Sequence, residues 1–430
     1  MGRIILAIPN TPAGEAARRH LFNNAQAEFG AKFESTLGEV LLSESKARDL
    51  PFLDAALDHT YVLLTTAEGA EFQTIGQILD FHNNSNARTG DTHGFVERGD
   101  IDRPMEPALT PPSSPRVGAP LDLTAPANHA DYLALLNVSA AHARGVKGGG
   151  VSVAVVDTGI DASVTPSPVG IKEYHDVVNN LHYTRPRHRP PSTFSDPNGH
   201  GSAMALIIAE TSPDAELCVI KICDDDPQLW DAMAGLGQAL YAGTQVICFA
   251  FGFKSTKNTC CTCGASGKTQ SDVFKLLIDN IAALDPMSGL KIEPPIIVAP
   301  TGNESSARGF LYPSAYDSVL AVGSVDTSKS RSLFSNYGTL HSAYLMAPGG
   351  QEDTAKTVTE YAGEGPTGAK FFGTSPAVAY ASAMLALLRS DRRFTYTNRA
   401  AFVDHILNKC SPKPTNVNQQ KEYGAGFISW

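Results

Sequence analysis

The sequence contains little charge for its length and no concentrated basic segment. Charged residues make up 18% of the 430 residues, compared with roughly 25% in typical soluble domains. Asp and Glu total 44 and Lys and Arg total 34, so the net charge is −10. Because such a surface repels polyanions, we expect no nucleic-acid partner.

Long hydrophobic runs are missing as well. The longest strongly apolar stretch, residues 377–388, is shorter than the roughly 20 residues of a membrane span. The apolar run after Met1 is broken by Pro9 and is too short for a signal peptide. We therefore expect no membrane association and a cytoplasmic location. Hydrophobic residues nevertheless make up 42% of the chain, enough for a large core, which excludes wholesale disorder.

Cysteine is scarce and odd in number, since the chain has 7. An odd count without a signal peptide favours free thiols over a disulfide framework. Three cysteines lie in apolar, strand-like runs and are expected to be small core residues: Cys218, Cys223 and Cys248. Three others form a Cys-Cys-Thr-Cys cluster in a loop rich in Gly, Ser and Thr: Cys260, Cys261 and Cys263. That cluster is either a metal site or an unliganded insertion, and no fourth ligand with familiar zinc spacing is nearby.

Proline marks the main boundary in the chain. Residues 100–127 contain seven prolines, so this segment continues neither a helix nor a strand ladder and is predicted to be an extended linker. It separates a small N-terminal α/β domain, residues 1–99, from a larger domain, residues 128–430. In the first domain the pattern predicts strands at 3–8, 38–42 and 60–65, and helices at 14–29, 46–57 and 71–81. We find no chemical motif there.

The larger domain alternates apolar, β-branched runs with helical patterns. The predicted strands are 151–156, 216–222, 245–251, 295–299 and 319–322, and the predicted helices are 200–210, 229–242, 271–284 and 376–389. Continuous apolar strands are typical of a sheet that is buried on both faces. The fold class predicted for this domain is therefore α/β, doubly wound, with a mostly parallel sheet.

Three short motifs stand at the ends of these elements. Asp157 ends a buried strand and precedes a glycine turn, which makes it either a site residue or a turn residue. His200 lies between two glycines at the start of a helix, where it faces a cleft or serves a structural purpose. Ser375 stands where a loop becomes a helix, so it is either a nucleophile or simply an N-cap.

The chain order Asp, His, Ser is the order of the subtilisin class of catalytic triad. Other segments recur in the same order as in that family: APTGN at 299–303, YPSA at 312–315, VLAVG at 319–323, FSNYG at 334–338 and APG at 347–349. Over roughly residues 130–430 the sequence therefore resembles the subtilisin-like serine peptidases. It departs from the usual pattern at Ala203, where the family has a second histidine, and after Ser375, where Pro-Ala-Val replaces Met-Ala-Ala.

The resemblance implies a role for each residue of the constellation. Ser375 is expected to be the nucleophile and His200 the base that activates its hydroxyl, because a serine hydroxyl is weakly nucleophilic at neutral pH. Asp157 is expected to orient the imidazole and stabilise its protonated form. The side-chain amide of Asn303, together with the backbone N–H of Ser375, is expected to form the oxyanion hole. The alternative for Asn303 is a turn residue at the end of a strand.

The same resemblance implies a strand that binds substrate. The residues expected to bind substrate are Ala250, Phe251, Gly252 and Phe253, together with Thr301 and Gly302. In the family this backbone pairs with the substrate as an added strand. Phe253 replaces a glycine, so it either alters and partly fills the first specificity pocket or points into the core.

Calcium often stabilises this family, but no complete ligand loop is present, and we expect no required cofactor and no metal at the site. Residues 224–226 are three consecutive aspartates that either bind a cation or form a solvated acidic loop. Residues 1–99 resemble the family's inhibitory propeptide in position and size, although the order of strands and helices matches it only in part. They are expected to act as an intramolecular inhibitor and chaperone, or as a permanent regulatory domain.

The sequence thus predicts a serine endopeptidase with restricted protein or peptide substrates inside the cell. The alternative is a catalytically silent protein that uses the same fold for binding or regulation. An intact triad with Asn303 favours the enzyme.

Overall fold

The computed structural model describes residues 1–37, 58–84, 96, 98–102, 105–107, 129–161, 171–179, 181–184, 194–254, 256–259, 266–269, 271–284, 294–351, 361–364, 370–396 and 398–430. These residues form two compact units. The first comprises Met1–Pro104, Pro227–Gln238 and Ser255–Leu284, and the second comprises Met105–Asp226, Ala239–Lys254 and Asp285–Trp430.

The N-terminal elements follow one another as β1 Gly2–Pro9, α1 Pro12–Phe29, β2 Lys32–Thr36, β3 His59–Thr66, α2 Glu71–Asn84 and β4 Arg98–Ile101. Their strands form an antiparallel sheet in the order β2-β3-β1-β4. One face of β1, with Ile4 and Leu6, packs on Leu21 of α1 and Ile78 of α2. Helix α1 starts where the side chain of Thr11 accepts a hydrogen bond from the backbone, which satisfies one of the free N–H groups of the first turn.

The structure confirms the predicted strands 3–8 and 60–65 and the helices 14–29 and 71–81 within a few residues. Strands β2 and β4 were not predicted, because their sequences, KFEST and RGDI, contain few apolar residues and no clear alternation. Strand β4 spans the boundary predicted at residue 99. The predicted strand 38–42, the predicted helix 46–57, the linker from residue 108 onwards and the three clustered cysteines lie outside the described residues.

The remaining strands are β5 Glu106–Pro107, β6 Ser152–Asp157, β7 Ile171–Asp176, β8 Leu181–Thr184, β9 Glu216–Lys221, β10 Val246–Phe249, β11 Phe251–Gly252, β12 Thr256–Thr259, β13 Ser266–Thr269, β14 Ile296–Pro300, β15 Leu320–Val325, β16 Tyr344–Pro348, β17 Gly363–Glu364 and β18 Lys370–Phe371. The remaining helices are α3 His129–Leu135, α4 Val138–Ala143, α5 His200–Thr211, α6 Leu229–Tyr241, α7 Asp272–Ala282, α8 Thr374–Ser390, α9 Arg399–Lys409 and α10 Val417–Tyr423.

Eight of these strands form the main sheet of the second unit, in the order β16-β15-β14-β10-β6-β9-β7-β8. Seven run parallel, and only the edge strand β8 pairs antiparallel with its neighbour. The central strands are buried along their whole length, which explains their continuous apolar sequences. The predicted α/β class with a mostly parallel sheet and a separate small N-terminal sheet is therefore confirmed.

The order of the sheet gathers several functional candidates at one edge. Strands β14, β10 and β6 are adjacent and parallel, so their carboxyl ends lie side by side. Asp157 ends β6, Ala250 directly follows β10, and Asn303 follows β14 by three residues. In open α/β sheets this is the edge at which ligands bind.

Helix α8 begins at Thr374, packs against α5 and the central strands, and is almost wholly buried. Its small residues allow this close packing, since six of the first ten positions are alanine or serine: Ser375, Ala377, Ala379, Ala381, Ser382 and Ala383. None of the helices in the described parts of the chain has both the length and the apolar character that a membrane span requires.

Candidate active site

Asp157 and His200 form a buried hydrogen-bonded pair. The Nδ1 atom of His200 lies 2.6 Å from the Oδ1 atom of Asp157, and neither residue is exposed to solvent. The same carboxylate oxygen accepts a hydrogen bond of 2.8 Å from the backbone N–H of Thr158. Two donors to one oxygen fix the orientation of the carboxylate and, through it, the ring of His200. The Nε2 atom of His200 has no hydrogen-bond partner among the described residues, so it is available to a further group.

A second aspartate, Asp196, holds the turn that carries His200. Its Oδ1 accepts hydrogen bonds from the backbone N–H of Gly199 and from the hydroxyl of Thr158, both at 2.8 Å. Its Oδ2 accepts two more from Ser202, at 2.8 Å from the backbone N–H and 2.7 Å from the hydroxyl. This buried carboxylate therefore ties the start of α5 to the residue that follows Asp157. The pattern of glycines around His200 did not predict this role for Asp196.

Glycine is required at position 201 by close packing of the backbone. A Cβ atom there would lie 2.3 Å from the carbonyl oxygen of Gly159 and 3.2 Å from the Cβ of Asp157. Both contacts are shorter than van der Waals separation, so any larger residue would push α5 away from strand β6. The Asp157 and His200 hydrogen bond depends on this close approach.

Ser375 stands in the first turn of α8, where backbone N–H groups lack partners within the helix. Its hydroxyl donates a hydrogen bond of 3.2 Å to the carbonyl oxygen of Ala250. The structure thus brings Asp157 and His200 into contact. The hydroxyl of Ser375 is hydrogen-bonded instead to Ala250, which directly follows strand β10. A rotation of the Ser375 side chain about χ1 changes that partner without moving the backbone.

Asn303 is held in one orientation by Thr374, the residue before Ser375. Its Oδ1 accepts hydrogen bonds from the backbone N–H and the hydroxyl of Thr374, each at 2.9 Å. Because the carbonyl end of the amide is occupied, the NH2 end is the one that can donate to a ligand. Asn303 is 4% exposed, so a hydrogen bond from this amide forms largely away from bulk water.

The turn before Asn303 has a constrained backbone. Gly302 adopts φ +108°, and a Cβ atom there would lie 2.4 Å from the Nδ2 atom of Asn336. Asn336 in turn donates to the carbonyl oxygen of Thr301 at 3.0 Å and accepts from the backbone N–H of Glu304 at 3.0 Å. Asn336, which the sequence analysis noted only as part of a recurring segment, therefore fixes the loop that carries Asn303 and the buried residue Thr301.

The predicted substrate strand already pairs with another part of the chain. Residues Phe251–Gly252 form an antiparallel ladder with Glu106–Pro107, in the register Phe251 opposite Pro107 and Gly252 opposite Glu106. Residues 106–107 come soon after the N-terminal sheet in the sequence. The backbone expected to receive a substrate as an added strand thus receives a segment of its own chain.

Phe253 is paired on its other side. It exchanges two backbone hydrogen bonds with Tyr312, of 2.8 and 3.0 Å, and its ring stacks on the Tyr312 ring at a centroid distance of 5.6 Å. The side chain is 4% exposed. The ring of Phe253 is therefore buried against the loop that carries Tyr312.

Lys221 is a buried cation that the sequence analysis missed. Lys221 ends β9 directly beside Asp157. Its Nζ atom donates hydrogen bonds to the carbonyl oxygens of Thr158 at 2.9 Å and Ser195 at 3.2 Å. It also forms an ion pair with Asp224 at 2.6 Å. Its side chain has no exposure. A lysine at the carboxyl end of a continuous apolar strand was the available signal, because lysine is almost never buried without partners.

The acidic loop at residues 224–226 is exposed, and two of its carboxylates are engaged by neighbouring side chains. Asp224 pairs with Lys221, and Asp225 accepts a hydrogen bond of 3.2 Å from the side chain of Asn198. At least one of the three aspartates thus serves to neutralise a buried lysine.

Comparison with known proteins gives matches in one family. The model of the Subtilase family matches residues 148–426. Subtilisin DY of Bacillus licheniformis is 28% identical over 309 residues, covering 69% of this chain and 94% of that protein. Subtilisin BL of Lederbergia lenta is 27% identical and covers 67% of this chain and 93% of that protein. Among solved structures, a lanthipeptide protease superposes with a TM-score of 0.53 and covers 76% of this chain and 97% of that one. Because the two sequences are only 17% identical, this similarity supports the fold alone.

Proposed function

Because this chain belongs to the subtilase family of serine peptidases, we propose that it is an endopeptidase whose nucleophile is Ser375. The observation that carries this proposal is the buried pair of Asp157 and His200, whose Nε2 atom is left without a partner among the described residues. An imidazole held this way by a carboxylate is a general base with a fixed tautomer. Within the family resemblance, the hydroxyl that it activates is that of Ser375.

The proposed reaction proceeds through an acyl-enzyme. The Ser375 hydroxyl leaves the Ala250 carbonyl, turns to His200 Nε2 and attacks the carbonyl carbon of the scissile bond as His200 takes its proton. His200 then protonates the leaving amine, and the peptide C–N bond breaks. In the second half, His200 takes a proton from water, the water attacks the ester carbonyl, and Ser375 is regenerated. No cofactor takes part in these steps.

Negative charge develops on the substrate carbonyl oxygen in the transition state, and hydrogen-bond donors that are already in place stabilise it. The backbone N–H of Ser375 at the start of α8 is one, since the first turn of a helix leaves such groups free. The amide of Asn303 is the other, and its hydrogen bonds to Thr374 support this assignment because they direct its NH2 group away from Thr374. Preorganised donors of this kind stabilise the transition state more than the bound substrate.

The substrate is a protein or peptide segment that binds in extended form along Phe251–Gly252. The antiparallel pairing of Glu106–Pro107 with this strand supports two proposals at once. The strand accepts an extended peptide, and the segment after the N-terminal sheet competes with substrate for it. Residues 1–107 are therefore proposed to act as an intramolecular inhibitor.

We place the protein inside the cell in this proposal. Four cysteines in the described residues form no disulfide bond: Cys218, Cys223, Cys248 and Cys410. Free thiols persist in reducing compartments and become oxidised outside them, which favours a cytoplasmic location. A peptidase in that compartment needs a restricted substrate range or a trigger, and an inhibitory N-terminal segment supplies one.

A catalytically silent binding protein is the second candidate. The observation that favours it is that the Ser375 hydroxyl donates its hydrogen bond to the Ala250 carbonyl and not to the Nε2 atom of His200. The two candidates differ in whether Ser375 reacts with an electrophile.

A fluorophosphonate probe separates the two candidates, because it forms a covalent bond only with an activated serine. We expect the full chain to be labelled once, at Ser375, and the Ser375→Ala variant to remain unlabelled. Ser382→Ala, in the same helix and equally buried, is the matched control and is expected to label like the wild type. An unlabelled wild type would favour the binding protein, as long as the probe still labels a known serine peptidase in the same buffer.

A further inference from the structure

Three side chains with different metal-binding atoms meet on one face of the main sheet. Glu173 and His175 lie two residues apart on β7, so both point to the same side of that strand. Cys218 lies opposite Glu173 on the neighbouring strand β9, in register, and therefore shares this face. One donor atom from each of the three residues lies within 4.8 Å of the other two.

The cluster combines deep burial with one point of contact to solvent. His175 has no exposure and Cys218 is 1% exposed, whereas 17% of the Glu173 side chain is accessible. The Nε2 atom of His175 lies 3.1 Å from the Oε2 atom of Glu173. The Glu173 side chain is thus the part of the cluster that solvent reaches.

None of the three residues takes part in the proposed peptidase reaction. The candidate catalytic residues end β6, follow β14 or start helices, whereas this cluster belongs to β7 and β9. Protein cores seldom place a carboxylate, an imidazole and a thiol together on one buried face, because each group brings a polar atom that needs a partner.

The types of donor select among metal ions. Thiolate and imidazole are the preferred ligands of zinc and its neighbours, whereas calcium and magnesium require oxygen ligands. Three protein ligands with a water molecule in the fourth position complete a tetrahedron. A divalent ion with one thiolate, one carboxylate and one neutral imidazole gives a net charge of zero, so the burial leaves no uncompensated charge. Binding displaces the thiol proton of Cys218 to solvent.

We propose that Glu173, His175 and Cys218 bind a zinc-class divalent cation that ties strand β7 to strand β9. Strand β7 is next to the edge of the sheet, and its register with β9 shifts between Ile171 and Glu173. A metal ion at this point fixes the register where backbone pairing is irregular. It also braces β9, the strand that ends at Lys221 beside Asp157.

Cobalt(II) tests the proposal, because a thiolate ligand produces a charge-transfer band with cobalt that imidazole and carboxylate do not. The sample is the full-length Ser375→Ala protein, which cannot cut itself, after treatment with a chelator. We expect a band that saturates at one cobalt per chain and disappears in Cys218→Ser. Cys410→Ser, another buried free thiol, is the matched control and should keep the band.

The cysteine cluster at residues 260, 261 and 263 is the competing source of such a band. Replacing all three by serine is expected to leave the cobalt spectrum unchanged. A band that is lost in this triple variant and kept in Cys218→Ser would overturn the proposal, as would the absence of any thiolate band in the wild type.

A second measurement covers the case in which Cys218→Ser does not fold. Glu173→Gln changes the partly exposed ligand with little change in shape, and it should weaken zinc affinity at least about tenfold. Zinc at 100 times the dissociation constant of the parent protein should raise the Tm of that protein by a few degrees, on the order of 3 °C, and at the same zinc concentration should raise that of Glu173→Gln by about half as much or less. Equal shifts in both proteins would mean that the three side chains are only hydrogen-bonded to one another. Neither measurement depends on peptidase activity.

Discussion

The two sheets of this protein place their strand ends differently. In the antiparallel sheet β2-β3-β1-β4 the strand ends alternate between the two edges, so the residues that follow the strands are distributed to both sides. In the parallel part of the main sheet every strand ends at the same edge. The chemistry-bearing residues Asp157, Ala250 and Asn303 collect at that edge, and the antiparallel sheet has no comparable group in its described residues.

Two aspartates at strand ends illustrate the contrast. Asp102 follows β4 of the first unit, pairs with Arg3 at 2.9 Å and accepts a hydrogen bond of 2.7 Å from the backbone N–H of Trp230. Asp157 ends β6 of the second unit and bonds to His200 at 2.6 Å. The first joins segments of a fold, whereas the second orients an imidazole whose other nitrogen is available. The same residue type at a strand end thus serves structure in one sheet and, in our proposal, chemistry in the other.

The largest expected effect is that of Ser375→Ala. Loss of the hydroxyl should lower kcat for peptide hydrolysis by at least about 10⁴-fold, because a triad without its nucleophile retains only the contribution of binding and the oxyanion hole. The variant should fold normally, since alanine fits the first turn of a helix. Steady-state kinetics on the purified full chain measures the loss, and comparable cleavage by the variant would refute the assignment.

The same variant tests whether the N-terminal segment stays covalently attached to the rest of the chain. If the N-terminal segment, residues 1–99, is a propeptide that is removed, the wild type should cut itself between about residues 99 and 128. The Ser375→Ala protein should stay at full length, which intact mass spectrometry detects. A wild type that stays intact and fully active would favour a permanent regulatory domain.

Next in size is Asn303→Ala, which removes one proposed oxyanion donor at the carboxyl edge. We expect kcat to fall about 100- to 1000-fold with little change in KM, because the hydrogen bond strengthens only in the transition state. Asn303→Asp keeps the acceptor for Thr374 but lacks the N–H donor, and it should show a similar loss. A large rise in KM at unchanged kcat would make Asn303 a residue that positions the substrate.

Asp196→Asn should have a smaller, mixed effect. The asparagine side chain keeps one acceptor oxygen, but its NH2 group faces donors, either those of Ser202 or those of Gly199 and Thr158. Because donors then face one another, the turn before His200 should loosen. We expect a loss of about 1–3 kcal/mol in stability and a fall in kcat of roughly tenfold with KM nearly unchanged. The exposed Asp225→Asn is the control and should change neither quantity appreciably. An unchanged kcat in a destabilised Asp196→Asn protein would limit Asp196 to a structural role.

The smallest effect concerns Asp102 in the antiparallel unit. Burial raises the pKa of Asp102 to about 6, although Arg3 opposes the shift. Because the pKa in the folded state exceeds the ordinary value, the protonated form is the favoured one. Its contribution to stability is present below about pH 4 and is lost as the pH rises through about 6.

Replacing Asp102 by Asn should remove this pH dependence. Relative to wild type, Asp102→Asn should gain up to about 2 kcal/mol in stability between pH 4 and pH 7, which calorimetry on the full chain measures. Glu68→Gln, an exposed carboxyl of the same unit, should leave the pH dependence as it is. If Asp102→Asn also retains the full pH dependence, other groups are responsible.

The elements of the parallel sheet could be predicted closely from sequence, and those of the antiparallel sheet only in part. Strands β6, β9, β10, β14 and β15 are continuous apolar runs because both faces of the sheet are covered, so each is visible without knowledge of its neighbours. Strand β2, with one apolar residue among polar ones, is held by its pairing with β3. Such pairing is a long-range property that local periodicity does not contain.

By itself the sequence determined the fold class, the order Asp157, His200, Ser375 and the family, because these depend on residue identity and on patterns along the chain. Only the tertiary structure decided that Asp196 holds the turn of His200, that Lys221 is buried beside Asp157 and that Glu106–Pro107 pairs with the predicted substrate strand. Each of these involves hydrogen bonds between residues that are far apart in the chain or on different strands. Their partners are chosen by how the sheet is ordered and how closely the helices pack on it, and neither property can be read from composition, spacing or motif.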